Sequence, residues 1–200
     1  MRSLSALPNK RLKLAAARRL GNESFFSAPQ LKRDSLGSSV VIHLKKGRDG
    51  PSTLACVRAD GSRTWGKEHP FFPLHDLTHC AVESVLALDQ AFFGLIAAGW
   101  DIDDFAKPGA SATMPLQAFL AEHMVGMLDR ERALPEPLTA AEVNEAVAAS
   151  LSASDRQRFP PITDAQLATV RALRRALEAR WHGLPPGATL EIEFPARAAA

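Results

Sequence analysis

The sequence predicts an α+β fold in which a small antiparallel sheet packs against about four helices. Three observations predict it. β-Branched runs separated by turn residues occupy the segment from about residue 38 to 65. Stretches with helical apolar periodicity then extend from about residue 74 to 183. Near the C-terminus, Thr189–Phe194 returns to strand-like alternation. Apolar residues make up 46% of the chain, which is typical of a protein with a hydrophobic core.

Three strands are predicted to form an antiparallel meander. The first covers residues 40–44, and the second is Thr53–Arg58. Asp60-Gly61 is a strong two-residue hairpin turn, and it leads to a third strand at residues 62–65. Because Thr189–Phe194 alternates between apolar and polar residues, we expect it to return to the same sheet as a half-buried strand.

Four helices are predicted to follow the meander. The first runs from about residue 74 to 88, and residues 92–98 continue it after a bend. The second runs from about residue 115 to 132, the third to about 151 and the fourth to about 181. Capping boxes open the third and fourth helices, and these are Thr139 with Glu142 and Thr163 with Gln166. Gly183 is expected to stop the fourth helix as its C′ residue.

The charge of the chain is distributed unevenly. Residues 1–33 carry eight Lys or Arg side chains and one Glu, a net charge of +7, whereas the other residues carry a net −5. We therefore expect residues 1–35 to form a basic, disordered arm and residues 36–200 to form a single globular domain. The mildly acidic domain argues against nucleic acid as a partner. The longest uncharged apolar run, residues 91–100, is too short to span a bilayer, so no membrane partner is expected.

The two cysteines predict a reducing compartment. Cys56 and Cys80 form no C-x-x-C pair, and we expect buried free thiols, with a single disulfide between them left open. Residues 1–30 lack the sustained apolar segment of a secretory signal. We therefore expect a cytoplasmic protein. Its oligomeric state is left open by the sequence.

The most specific pattern is His75-Asp76-Leu77-Thr78-His79 at the start of the first helix, with Glu83 four residues later. Two histidines four apart on a helix are separated by about 6 Å of rise and project from one face, so both can bind one metal ion. Glu83 lies about 12 Å along the axis from His75. It is therefore better placed to orient His79, or to hold a second ion with it, than to bind the same ion.

A third metal ligand has to come from another element. His123 lies in the apolar stripe of the second helix, so we predict His123 as the third ligand of zinc or another divalent transition metal. Glu122 is a weaker candidate, because it lies about 100° around the helix from His123. Carboxylate alternatives are Asp89, Asp101, Asp103 and Asp104.

The pentapeptide resembles the H-E-x-x-H signature of zincin metallopeptidases, with Asp76 in place of the glutamate. In that family the two histidines bind zinc and the glutamate activates water. The resemblance covers this helix and the strands before it, and it implies His75 and His79 as zinc ligands and Asp76 as the base. Aspartate is one methylene shorter than glutamate. No third histidine follows a glycine, and the next helix has no E-x-x-x-D motif.

Two functional hypotheses follow from these residues. The first is a zinc-dependent hydrolase of a small molecule or peptide, in which His75, His79 and His123 hold the metal and Asp76 or Glu83 polarises a water molecule. The second is a non-catalytic binding or structural protein whose buried histidines form hydrogen bonds with each other or with Glu83 and organise the core. In that case Asp76 would interact with the N-terminal amides and dipole of its helix.

Overall fold

Four strands form one antiparallel sheet in this computed structural model, which describes residues 39–67, 72–158 and 160–195. The strands are β1 (Val40–Lys45), β2 (Thr53–Arg58), β3 (Arg63–Lys67) and β4 (Thr189–Phe194). Their order in the sheet is β3-β2-β1-β4. The predicted meander with a returning C-terminal strand is therefore confirmed, and so is the α+β class. The predicted basic arm, residues 1–35, lies outside the described residues.

In the described ranges, seven α-helices accompany this sheet. They are α1 (Phe72–Leu86), α2 (Phe92–Ala97), α3 (Ala110–Thr113), α4 (Leu116–Glu131), α5 (Ala140–Ser150), α6 (Ala153–Gln157) and α7 (Asp164–Gly183), with a 3-10 helix at Ile102–Ala106 between α2 and α3. Helices α1, α2 and α7 share the apolar core of the sheet, whereas α4 and α5 belong to a second apolar cluster. The four predicted helices correspond to α1, α4, α5 and α7, and the predicted continuation corresponds to α2. The 3-10 helix, α3 and α6 were not predicted, because segments of four or five residues show no helical periodicity.

The predicted starts of α5 and α7 are confirmed, and the predicted end of α7 is wrong. Both capping boxes form, with each threonine side chain accepting from the amide three residues later. Gly183, however, is the last helical residue, and its φ is not positive. The helix ends because Leu184 is extended, with φ −75° and ψ 137°. Leu184 precedes Pro185, and a residue before proline is driven out of the helical region.

Helix α1 is buried on nearly all sides. The inner face of the sheet packs against it through Leu77 and Cys80, and α4 and α7 pack against it on other sides, where Ala81 and Val82 join a second apolar cluster. Each residue from 75 to 83 is buried. The polar residues in this stretch therefore need partners inside the protein, because an unpaired polar group buried in an apolar core costs several kcal/mol.

The predicted free thiols are confirmed, since Cys56 and Cys80 are both buried and unbridged. Burial raises the pKa of the Cys80 thiol well above its usual value. Cys80 is therefore a neutral packing residue between α1 and the sheet.

The arginine-rich face of α7 is partly buried. Arg174 is buried, and its guanidinium donates to the carbonyl oxygen of Leu128 at 2.7 Å. Arg171 Nε donates to Oε1 of Glu131 at 3.1 Å, and the Glu131 side chain is only 6% exposed. Glu131 thus joins the end of α4 to α7. Arg175 and Arg180, on the same helix, are exposed.

Replacing Glu131 by glutamine should destabilise the protein at neutral pH. Burial alone would raise the pKa of Glu131. The hydrogen bonds from Arg171 and from the Leu138 amide outweigh that effect, so the net pKa lies below the usual 4.5. The ionised carboxylate therefore stabilises the fold above about pH 4.5, and this contribution is lost as the pH falls through the lowered pKa. We expect a loss of about 3 kcal/mol at pH 7 in urea unfolding, and a smaller loss at pH 3.

Glu145→Gln is the matched control for this prediction, because Glu145 is exposed on α5, and it should leave the free energy of unfolding unchanged at both pH values. An equal loss for Glu131→Gln at pH 7 and pH 3 would contradict the assignment.

Candidate metal centre

Two histidine rings lie together inside the protein, on the face of α1 that meets α4. His75 and His79 are each 1% exposed. Their ring centroids are 4.8 Å apart, in an edge-to-face arrangement. The expectation that a spacing of four residues places both rings on one buried face is confirmed.

Each ring is held at Nδ1 by a different carboxylate. Nδ1 of His75 lies 2.7 Å from Oδ2 of Asp129 on α4. Nδ1 of His79 lies 2.9 Å from Oε1 of Glu83, one turn further along α1. The Asp129 carboxylate is ionised and only accepts, so Nδ1 of His75 is the donor, and in the neutral ring Nε2 then carries the lone pair. Glu83 fixes the His79 ring at Nδ1 and leaves its Nε2 on the side of Glu122. Proteins orient metal-binding histidines with this arrangement.

Glu122 on α4 adds a third donor beside the two rings. Its Oε1 lies 3.5 Å from Nε2 of His79. One ligand atom from each of His75, His79 and Glu122 lies within 4.8 Å of the others. Across the described ranges, no other group of three or more histidine, cysteine or carboxylate side chains could hold a metal ion.

A tetrahedral zinc ion needs donor atoms that are roughly 3.3–3.5 Å apart. The 4.8 Å limit of this group exceeds that spacing by roughly 1.3–1.5 Å. The Glu122 side chain is 21% exposed, whereas the two histidines are enclosed. The distance between Nε2 of His79 and Oε1 of Glu122, 3.5 Å, already matches the tetrahedral spacing.

His123, the predicted third ligand, is not part of this group. Its Nδ1 lies 3.1 Å from the carbonyl oxygen of Phe119, and its ring packs on the Phe119 ring at a centroid distance of 4.2 Å. Desolvation lowers the pKa of the His123 imidazole. The buried face of α4 is rotated about the helix axis from the predicted apolar stripe. It runs through Ala121, Val125 and Leu128 and does not include His123.

Helical geometry explains the exchange of His123 for Glu122. Successive residues on an α-helix are about 100° apart, so Glu122 and Asp129, seven residues apart, lie within about 20° of each other. Both border the buried line of α4, on the side that faces the histidines of α1. His123 points a further 100° away. The alternatives that the sequence left open were Asp89, Asp101, Asp103 and Asp104, and none of them belongs to the group.

Glu83 is engaged in holding the site together. Its Oε1 forms a hydrogen bond with Nδ1 of His79 and accepts from the Phe92 amide at 3.2 Å, and its Oε2 accepts from the Phe93 amide at 2.9 Å. Burial raises the pKa of Glu83 to about 8, against the opposing effect of these amides. The structure thus supports the expected role of orienting His79, because both oxygens of the side chain are engaged by protein groups.

Asp76, the other predicted base, is completely buried on α1. It is not one of the three grouped ligands, but its charge raises the pKa of His75. Helix α1 begins at Phe72, two residues before the expected start, so Asp76 lies in its second turn.

Comparison of the chain with protein-family models, with curated proteins and with solved structures finds no match. Among the described residues, no helix is long and apolar enough to cross a membrane.

Asp129 and the two residues that donate to it, Arg132 and Thr78, were not predicted from the sequence. Oδ1 of Asp129 accepts from Nη2 of Arg132 at 3.1 Å and from the Thr78 hydroxyl at 3.1 Å. Burial alone would raise the pKa of Asp129. The hydrogen bond from His75 and the charges of His75 and Arg132 outweigh that effect, so the net pKa is below its usual value and the carboxylate is ionised at neutral pH. The seven-residue spacing of Glu122 and Asp129 was the signal that could have found it.

Replacing Asp129 by asparagine should lower the pKa of the His75 ring in the metal-free protein. Burial lowers this pKa, but the hydrogen bond to Asp129 and the charges of Asp76 and Glu122 raise it to a net value above 6.5. The amide keeps the size of the side chain and removes its charge. The pKa of His75 would be measured by NMR titration in chelator. Asp155→Asn, at a partly exposed site on α6, should leave it unchanged, and an unaltered pKa in Asp129→Asn would contradict the pairing.

Proposed function

We propose that this protein is a metal-dependent hydrolase that binds a divalent transition metal, with zinc as the leading candidate, through His75, His79 and Glu122. The observation that carries the proposal is that two buried imidazoles, each held at Nδ1 by its own carboxylate, lie beside a third carboxylate. Two imidazoles and one carboxylate are the ligand set of several zinc hydrolases.

The number of donors favours catalysis over a purely structural ion. Structural zinc sites are closed by four protein ligands, whereas catalytic sites use three and keep one position open. The described residues supply three donors here. An ion bound in this way lowers the pKa of a water molecule in its open position to about 7, which is the chemistry that hydrolysis requires.

The surrounding residues are suited to hold and shield such a site. Asp129 and Glu83 fix the orientation of the two rings. The Phe72 ring lies 6.1 Å from that of His75, and the Phe92 ring lies 5.7 Å from that of His79. These aromatic rings border the histidines with apolar surface, and an apolar surrounding strengthens electrostatic interactions inside a site.

The proton acceptor of the proposed reaction is less constrained than the metal ligands. Both oxygens of Glu83 are already engaged by His79 and by amides of α2. Of the two bases that the sequence predicted, we therefore retain Asp76. The substrate class remains the one proposed from the sequence, a small molecule or a peptide.

The full-length chain, purified without added metal, should contain about one zinc ion per chain in elemental analysis. Glu122→Gln should lower the zinc affinity at least about tenfold, because it removes a charged ligand. His123→Gln is the matched control, since it alters the neighbouring residue on the same helix, and it should retain the metal.

Absence of metal, together with a thermal stability that chelator does not change, would overturn the proposal in favour of the non-catalytic alternative. Loss of metal in His123→Gln with retention in Glu122→Gln would overturn the ligand assignment.

Hydrolysis itself should depend on the ion. We expect the zinc-loaded protein to cleave at least one member of a panel of activated esters and short peptides. Chelator should abolish that activity, zinc should restore it, and Glu122→Gln should lower kcat/KM at least about 100-fold through loss of the ion. Tight, stoichiometric zinc binding without hydrolysis of any member of the panel would refute the hydrolase and leave a structural metal site.

A further inference from the structure

The outer face of the sheet, which consists of the strand side chains that point away from the helices, is open and partly apolar. Trp65 on the edge strand β3 is 60% exposed, the highest value among the large apolar side chains that the structure describes. Val41, Ala55 and Val57 lie beside it, and none of them belongs to the apolar clusters of the core. An exposed apolar patch bordered by charged residues is typical of an interaction surface.

Strand register gives this face opposite charges at its two edges. One row crosses the sheet as Arg63, Val57, Val41 and Glu193, because these residues are paired from β3 to β4. The next row begins with Trp65 on β3 and ends with Glu191 on β4.

The basic edge is strengthened by Lys67, which is also on β3. Within the described residues, Arg63, Lys67 and Glu193 form no side-chain ion pair. Glu191 lies 4.0 Å from His43. These charges are therefore available to a partner.

We propose that the outer face is a self-association surface through which two copies of this chain pack sheet to sheet. A two-fold axis parallel to the strands places β3 of one copy over β4 of the other. Arg63 of each copy then lies opposite Glu193 of its mate, and Val57 lies opposite Val41. Face-to-face sheets pack about 10 Å apart with nearly aligned strands, so the long charged side chains can meet across the interface.

Charge complementarity favours a second copy over the basic N-terminal segment as the occupant of this face. The face carries three basic side chains, Lys45, Arg63 and Lys67, and two acidic ones, a net charge of +1. Residues 1–33 carry a net +7, so the two would repel each other. A second copy instead matches each charged edge with its opposite, as symmetric interfaces require.

The small size of the face implies weak, reversible association. Four strands about 4.8 Å apart and six residues long cover roughly 20 by 20 Å. This is about half the area that each partner contributes to a standard interface. We therefore expect a dimer that dissociates in the range of tens of micromolar and weakens as salt is added.

The test is a charge exchange measured by sedimentation equilibrium of the full chain between about 5 and 300 μM. The unaltered chain should dimerise with concentration. Arg63→Glu alone and Glu193→Arg alone should each weaken association at least about tenfold, because each places like charges opposite one another. Combining both changes in one chain, or mixing the two single variants, should restore it.

Arg175→Glu and Glu145→Arg are the charge-matched controls at exposed helix positions, and they should leave association unchanged. A chain that stays monomeric to 300 μM would overturn the proposal, and this is also the outcome if another segment of the chain covers the face. Association that neither single variant weakens, or that the combined variant fails to restore, would overturn it too. Circular dichroism would verify that each variant is folded, and the zinc site plays no part in any of these outcomes.

Discussion

The hydrogen bond between His75 and Asp129 joins two helices through the interior of the protein, and the rest of the site depends on it. Helix α1 is buried between the sheet, α4 and α7, so its two histidines are almost completely buried. Asp129 fixes the His75 ring from α4, and Arg132 in turn fixes Asp129. The same packing of α4 against α1 brings Glu122 within 3.5 Å of His79.

Negative charge is concentrated around this bond. Four carboxylates, those of Asp76, Glu83, Glu122 and Asp129, surround the two histidines, and Arg132 is the cation paired with Asp129. Burial is the main cause of the raised pKa of Glu83, and the hydrogen bond to Asp129 is the main cause that raises the pKa of His75 against its burial. The charge of Asp76 adds a smaller increase to both. Buried like charges are costly unless a cation offsets them. A divalent ion between His75, His79 and Glu122 would supply that charge, and this links the electrostatics of the core to the proposed function.

The sequence predicted most of the fold, and it predicted the half of the site that lies on one helix. Strand alternation, the Asp60-Gly61 turn and the two capping boxes are local signals, and local signals determine where elements begin. The pairing of His75 with His79 is also local, because both lie on α1. Glu122 was ranked below His123, and Asp129 was not predicted, because the roles of both residues depend on the rotation of α4 about its own axis. An apolar stripe defines that rotation only to within one residue position, and an error of 100° exchanges Glu122 for His123.

The most direct test of the central claim is a crystal structure of the zinc-loaded protein with anomalous scattering at the zinc edge. We expect a single strong anomalous peak about 2.0–2.2 Å from Nε2 of His75, Nε2 of His79 and one oxygen of Glu122. The Nδ1 atoms should remain bonded to Asp129 and Glu83. A zinc peak at His123 or at the exposed His182, or a buried site whose Nε2 atoms are bridged by water without a peak, would contradict it.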